Sequence, residues 1–230
     1  MKIVKVNNYE ELSAVAADLI AKQIKAKPAS VIGLATGSTP IGTYKNLVEM
    51  HKRGDLNFIK VKTFNLDEYC GLARDDAQSY YYFMMDNLFK HINIPKVNIH
   101  FPAEKDSDWY DKEIAQAGGI DLQLLGIGSN GHIGFNEPED VFHKFTRVVD
   151  LAPSTIKANA RFFKKMEDVP KTAISMGIGT IMAAKKIVLI AGADKAELVK
   201  ELTKPVISPQ LPASILHFHP DATIITVTSR

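Results

Sequence analysis

Apolar residues recur at Leu12, Val15, Ala16, Leu19, Ile20 and Ile24, a spacing that lays them along one stripe of a helix over residues 9–26. Asn8 followed by Glu11 has the spacing of a capping box, and Pro28 stops the helix. The next pattern differs. Val31-Ile32-Gly33-Leu34-Ala35 is an unbroken apolar run of strand length, expected to be buried. Tyr44, Leu47, Val48 and His51 then return to the helical period. Thr39-Pro40 ahead of them predicts a hydroxyl cap with proline at the first helical position.

The alternation continues along the chain. It predicts a strand over 61–66, a well-buried helix over 79–92, a sparser helix over 106–117 around Trp109 and Ile114, and a strand over 122–125. A helical turn over 181–184, a strand over 187–190, a helix running through Leu202 and a strand over 222–227 follow. Strands and helices alternating at this interval predict an α/β fold, a mostly parallel sheet flanked by helices. No repeat or linker marks a domain boundary. Residues 142–171 break the rhythm: they are polar and irregular, carry Arg147, Lys157, Arg161, Lys164 and Lys165, and have the character of a lid.

Composition narrows the function classes. With 46% hydrophobic and 23% charged residues the chain is of ordinary globular type. A net charge of +2 gives no global case for nucleic acid or an anionic membrane. The single cysteine, Cys70, excludes an internal disulfide and fits a reducing compartment. No apolar run has the length of a membrane span, and the first nine residues lack a signal-peptide core, so a cytoplasmic location is expected.

Three strand-end segments hold the candidate chemistry. In Ala35-Thr36-Gly37-Ser38-Thr39-Pro40, a strand feeds a Gly-Ser-Thr turn into a helix. Such a turn offers N–H groups and hydroxyls to a phosphate, or is a plainly capped helix. It is not a P-loop, because Thr43 stands where that motif needs lysine. In Phe64-Asn65-Leu66-Asp67-Glu68-Tyr69, two acids end a strand, either facing a ligand crevice or forming a solvated turn. The third segment, Gly126-Ile127-Gly128-Ser129-Asn130-Gly131-His132-Ile133-Gly134-Phe135-Asn136-Glu137-Pro138, places a histidine and a glutamate in flexible backbone. It contains GxGxxG, but Gly134, Asn136 and Pro138 are a poor start for the helix that a dinucleotide site requires. The aromatic cluster Tyr80 to Phe83 reads as core. His217-Phe218-His219 is expected to put both imidazoles on one strand face, too few ligands for a metal. His51, His91, His100 and His143 read as surface or cap residues.

Together these segments closely resemble the glucosamine-6-phosphate deaminase (isomerase) family. The likeness runs through Ala158-Asn159-Ala160-Arg161-Phe162-Phe163, Val169-Pro170-Lys171 and Leu216-His217 with Pro220, covering nearly the whole chain in order. It implies a single Rossmann-like α/β domain over residues 1–230, with a lid at about 151–171. It also implies conversion of glucosamine 6-phosphate and water to fructose 6-phosphate and ammonium, without metal or organic cofactor. By resemblance Asp67 is the base that moves a proton from C2 to C1, and His132 opens the sugar ring with Glu137 holding its tautomer. By the same resemblance Gly37, Ser38, Thr39, Arg161 and Lys195 are expected to hold the phosphate. From the residues alone, Arg161 and Lys195 are surface charge.

Two departures from the family pattern carry expectations. Asn130 stands where some members have aspartate; an amide can accept a hydrogen bond from imidazole but cannot stabilise imidazolium by charge, which leaves that role to Glu137. Longer members carry a C-terminal extension and an intersubunit site for an activator, N-acetylglucosamine 6-phosphate. Here only Arg147 keeps that site's basic character, beside Asp140, Val149 and Asp150. Simple saturation kinetics and a monomer or small homo-oligomer are therefore expected. The competing readings are a 6-phosphogluconolactonase-like hydrolase, which leaves Asp67 idle, and a non-enzymatic sugar-phosphate sensor, which needs no acid–base set.

Overall fold

The computed structural model describes residues 1–104 and 107–228. In chain order the elements are β1 (Lys2–Val6), α1 (Tyr9–Ala26), β2 (Val31–Leu34), α2 (Ile41–Lys52), β3 (Lys62–Asn65), β4 (Asp67–Tyr69), α3 (Tyr80–Asn87), β5 (Ile99–His100) and α4 (Ser107–Gln116). Then come β6 (Leu122–Leu125), β7 (Arg147–Asp150), α5 (Pro153–Asn159), β8 (Thr172–Ser175), α6 (Ile178–Met182), β9 (Ile187–Ala191), α7 (Ala196–Leu202) and β10 (Ala222–Val227). Seven strands form one parallel sheet, in the order β1-β10-β9-β6-β2-β3-β5. A second, antiparallel sheet of β4, β8 and β7 stands apart from it.

The apolar runs are explained by burial on both faces of the parallel sheet. Ile32, Leu34, Leu122, Leu124, Val188 and Ile225 pack with Leu12, Ile20 and Leu47 of α1 and α2. Val31, Phe64, Leu125, Leu189 and Ile224 pack on the other side with Tyr110 of α4, Ile181 of α6 and Leu202 of α7. Strand order reverses direction between β2 and β6, and ligand crevices open beyond the carboxyl ends of strands at such a switch. The loops after β9, β6, β2 and β3 all emerge there. No helix among the described residues is long and apolar enough to cross a membrane.

Several expectations from sequence are corrected. The helix expected over 79–92 ends at Asn87, where Leu88 leaves helical geometry (φ −138°, ψ −62°). Side chains take over its last carbonyls, with Asn87 Nδ2 donating to Phe83 O and His91 Nε2 bonding Asp86 O. Only Met84 of that helix is fully buried, and Tyr82 faces solvent. Within 106–117 the helix is Ser107–Gln116, Asp106 lies outside the described residues, and Trp109 is exposed while Tyr110 and Ile114 fill the core. Residues 142–171 are not irregular throughout: they contain β7 and α5. Of the helical turn expected over 181–184, only Ile181 and Met182 are helical, as the end of α6, which starts at Ile178. His217 and His219 lie at the end of a 3-10 helix, not on a strand, and their Nε2 atoms bond Leu202 O and Ala184 O. At α1, Asn8 caps Glu11 N as expected, but the Glu11 carboxylate turns to the backbone and side-chain N–H of Asn7 instead of closing the box on Asn8.

Candidate active site

The parallel sheet ends at Asn65, and Leu66 is held by both sheets: its N–H donates to Leu34 O, and its carbonyl accepts from Met176 N. The chain then enters β4, so Asp67 and Glu68 point to opposite sides at the junction. They are not a solvated turn. Glu68 accepts from the N–H groups of Tyr69, Tyr80 and Tyr81 at 2.8–2.9 Å, capping α3. Asp67 is 6% exposed, and no described residue donates a hydrogen bond to its carboxylate. Burial, with the Glu68 charge adding to it, pushes the Asp67 carboxyl up to about 8.

The glycine segment after β6 opens no helix. It is a loop folded around His132: Gly128 N donates to His132 O at 3.0 Å, and Gly131 takes a left-handed φ of 86°. A Cβ on Gly128 would fall 2.2 Å from the imidazole, so only glycine lets the ring lie on the backbone there. His132 Nδ1 bonds Glu137 Oε2 at 3.0 Å, and Asn130 Nδ2 donates to the same oxygen at 2.6 Å. The hydroxyl of Thr155, on α5, donates to Glu137 Oε1. Burial acts to raise the Glu137 carboxyl, but the bond and charge of His132, with Thr155 and Asn130, override it and hold Glu137 at about 2. An ionised Glu137 needs a proton on Nδ1, which leaves Nε2 of a neutral imidazole as an acceptor. Asn130 does not accept from the imidazole as the sequence led us to expect. Its amide donates to the glutamate, and its Oδ1 accepts the backbone N–H of His132 at 3.3 Å.

After β2, Gly37 adopts a left-handed φ of 100° and turns the chain into α2. The expected Ser/Thr cap with proline at the first helical position is absent: Pro40 is itself the cap residue, and no side chain of the turn caps the helix. Tyr9 does the job from α1. Its hydroxyl accepts from Gly42 N at 2.9 Å and lies 3.3 and 3.1 Å from the carbonyl oxygens of Ser38 and Thr39. The Ser38 and Thr39 hydroxyls have no partner among the described residues and line a cleft of about 630 Å³.

Seven of the nine candidate residues line that cleft: Gly37, Ser38, Thr39, Asp67, His132, Arg161 and Lys195. Asn130 and Glu137 stand behind His132. Arg161 follows α5 in a 3-10 turn, and Lys195 pairs with Asp194 at 2.6 Å on the loop after β9. The wall is aromatic, with Tyr69 packed against Tyr80, Phe135 and Phe163 at centroid distances of 4.8, 5.8 and 5.8 Å. Among the described residues no three His, Cys, Asp or Glu side chains are grouped to hold a metal ion.

This combination of loops has relatives. A family model for glucosamine-6-phosphate isomerases/6-phosphogluconolactonase matches residues 7–225. The glucosamine-6-phosphate deaminase of Thermoanaerobacter pseudethanolicus is 56% identical over 232 residues, covering 98% of this chain and 92% of that one. The chain belongs to the glucosamine-6-phosphate deaminase family. A solved structure of a monomeric glucosamine-6-phosphate deaminase superposes with a TM-score of 0.96 at 44% identity, covering 99% of this chain and 97% of the other. A 6-phosphogluconolactonase from Trypanosoma cruzi aligns with a TM-score of 0.74 at 24% identity, covering 98% and 94%. At that identity the likeness is one of fold.

Three residues at the deaminase-family cleft escape a reading of the sequence. Tyr80 reads as core yet lines the cleft, its ring packed against that of Tyr69. Tyr9 and Thr155 sit at helical positions where nothing in the spacing points to a loop in another part of the chain. For Tyr80 one signal exists: it follows Ser79, the N-cap of α3, and so lies at the helix end nearest the site.

Proposed function

We propose that the protein converts glucosamine 6-phosphate and water to fructose 6-phosphate and ammonium. The observation that carries this is the convergence on one cleft of a buried carboxylate with no donor among the described residues, a glutamate-oriented imidazole, and the hydroxyls of Ser38 and Thr39 at the rim. The substrate arrives as a closed ring. His132 takes the proton of the anomeric hydroxyl at Nε2 and delivers it to the ring oxygen, and the ionised Glu137 stabilises the imidazolium formed between these steps. In the open aldehyde, Asp67 removes the C2 proton and returns it to C1 while one proton of the substrate ammonium passes to O1, leaving a protonated ketimine at C2. Water adds to the ketimine, and ammonium leaves as the ketone forms. A carboxylate with no donor to stabilise its charge is a stronger base than a solvated one, which suits a carbon acid.

The phosphate is held by Gly37, Ser38 and Thr39 from one side and by Arg161 and Lys195 from the other, Arg161 able to grip two oxygens at once. Residues 151–171 form the lid, because they carry Arg161 and Phe163 over the cleft. The functional unit is the single domain of residues 1–230, working as a monomer in the cytoplasm, in the breakdown of amino sugars. The test is direct: purified protein with glucosamine 6-phosphate yields equal amounts of ammonium and fructose 6-phosphate. Absence of ammonium, with hydrolysis of 6-phosphogluconolactone instead, would return the site to a lactonase that leaves Asp67 unused.

A further inference from the structure

Helix α5 joins two parts of the cleft that the sequence keeps apart. Its inner face carries Thr155, 4% exposed, whose hydroxyl donates to Glu137 Oε1. Its last residue, Asn159, donates to the Tyr69 hydroxyl at 2.8 Å, and Arg161 follows in the next turn, at the cleft. Pro153 at its first turn fixes the backbone entering it.

The two oxygens of Glu137 are served from different places. Oε2 receives Asn130 and His132, both from the loop after β6, whereas Oε1 receives Thr155 alone among the described residues. A carboxylate bonded through one oxygen can swing about its terminal torsion, because that torsion has a broad minimum. A donor on the second oxygen removes this freedom and keeps Oε2 aimed at His132 Nδ1. That donor does not belong to the loop. It moves with α5, and so with Arg161.

Resting on the deaminase reading above, we infer that Thr155 is a positioning residue that ties the alignment of the His132–Glu137 pair to the seating of α5 against the cleft. Phosphate held by Arg161 seats α5, α5 delivers the Thr155 hydroxyl to Glu137, and Glu137 orients the imidazole. Binding energy from a group remote from the reaction is thereby spent on alignment, so the phosphate contributes to turnover as well as to affinity.

The experiment compares T155V, which keeps the shape and loses the donor, with T155S, which keeps the donor. Ammonium release from glucosamine 6-phosphate is measured as a function of pH, with fructose 6-phosphate binding followed by calorimetry. In T155V, kcat falls about tenfold, the size expected for a lost hydrogen bond to a charged group, while KM and product affinity stay within about twofold. Its acidic limb is also displaced, because Glu137 has lost a donor. T155S returns kcat and the profile to near wild type. A T155V enzyme with wild-type kcat and pH profile, or a T155S enzyme as impaired as T155V, overturns the inference while the deaminase reading stands. A wild-type protein that releases no ammonium overturns the deaminase reading itself.

Discussion

Asp67 and Glu68 are neighbours on β4, yet among the described residues Glu68 accepts three backbone N–H groups and Asp67 accepts none. The strand's alternation turns one acid to the amino end of α3 and the other to the cleft. Burial raises the Glu68 carboxyl while the N–H groups of Tyr80, Tyr81 and Tyr69 act to lower it, and the Glu68 charge adds to the burial that raises Asp67. Two adjacent carboxylates thus become a structural anchor and a base.

A raised carboxyl has a cost in stability that can be measured. The folded value of about 8 lies above the ordinary 3.8, so the native state binds this proton more tightly than the unfolded chain does. Stability contributed by the protonated group is complete below the lower value and is lost as pH climbs to the upper one, at up to about 1.4 kcal/mol per pH unit. Asp67→Asn removes that loss. The variant should fail to exchange the C2 proton with solvent while still binding fructose 6-phosphate. Its Tm advantage over wild type should widen between pH 4 and pH 8 by roughly 2–4 °C for each kcal/mol and then level off. Equal thermal stability across that range would mean that Asp67 is not raised.

Much of this could be read from the chain, for physical reasons. The strands of the parallel sheet are buried on both faces, so Val31 to Leu34 and Ile187 to Ala191 show as unbroken apolar runs. His132 and Glu137 are legible because one short glycine-rich loop supplies both. The second sheet is not legible: β7, Arg147–Asp150, is short and only one of its residues is buried, and its partner lies beyond α5. The different fates of Asp67 and Glu68 also stay hidden, because the N–H groups that claim Glu68 belong to α3. Tyr9 and Thr155 act on loops across the chain, and no local pattern records such a contact.

Tyr9 provides a test of the phosphate loop that replaces no candidate residue. Its hydroxyl joins Gly42 N to the turn carrying Ser38 and Thr39, with Gly42 packed so closely that an added Cβ would lie 3.0 Å from that oxygen. Tyr9→Phe frees the turn without removing any group that faces the cleft. Initial-rate measurements should show KM for glucosamine 6-phosphate rising about fivefold, equivalent to roughly 1 kcal/mol, with kcat within twofold. Arg161→Ala should act in the same direction. A fall in kcat alone would show that Tyr9 serves the chemistry and not the anion.

Asn130 shares one oxygen of Glu137 with His132. Its amide donates to Glu137 Oε2 at 2.6 Å, a distance that two carboxylates can share only with a proton between them. Asn130→Asp exchanges a donor for a like charge and places more negative charge beside His132, favouring the imidazolium. The imidazole must be neutral to take the first proton, so the acidic limb of the kcat/KM profile should move to higher pH, by up to about one unit. Superimposable profiles for the two proteins would show that Asn130 has no electrostatic part in setting His132.

Arg147 gives the last test, of regulation. It lies on β7, the edge of the small sheet, and its side chain is already engaged, donating to Asn136 Oδ1 at 3.0 Å and lying 3.5 Å from Glu139 Oε1. Asp150 ends the same strand, and Asp140 follows Glu139, hydrogen-bonded to Gln210 at 3.3 Å. An activator phosphate arriving here would have to displace a carboxylate from Arg147 and come to rest among acids, which costs binding energy instead of supplying it. With no differential binding there is no coupling free energy, and the substrate curve has nothing to make it cooperative. Velocity against glucosamine 6-phosphate should be hyperbolic, with a Hill coefficient of about 1, and N-acetylglucosamine 6-phosphate should leave it unchanged. A sigmoidal curve that the acetylated sugar phosphate makes hyperbolic would mean that Arg147 exchanges Glu139 for phosphate, and Glu139→Gln should then lower the activator concentration required.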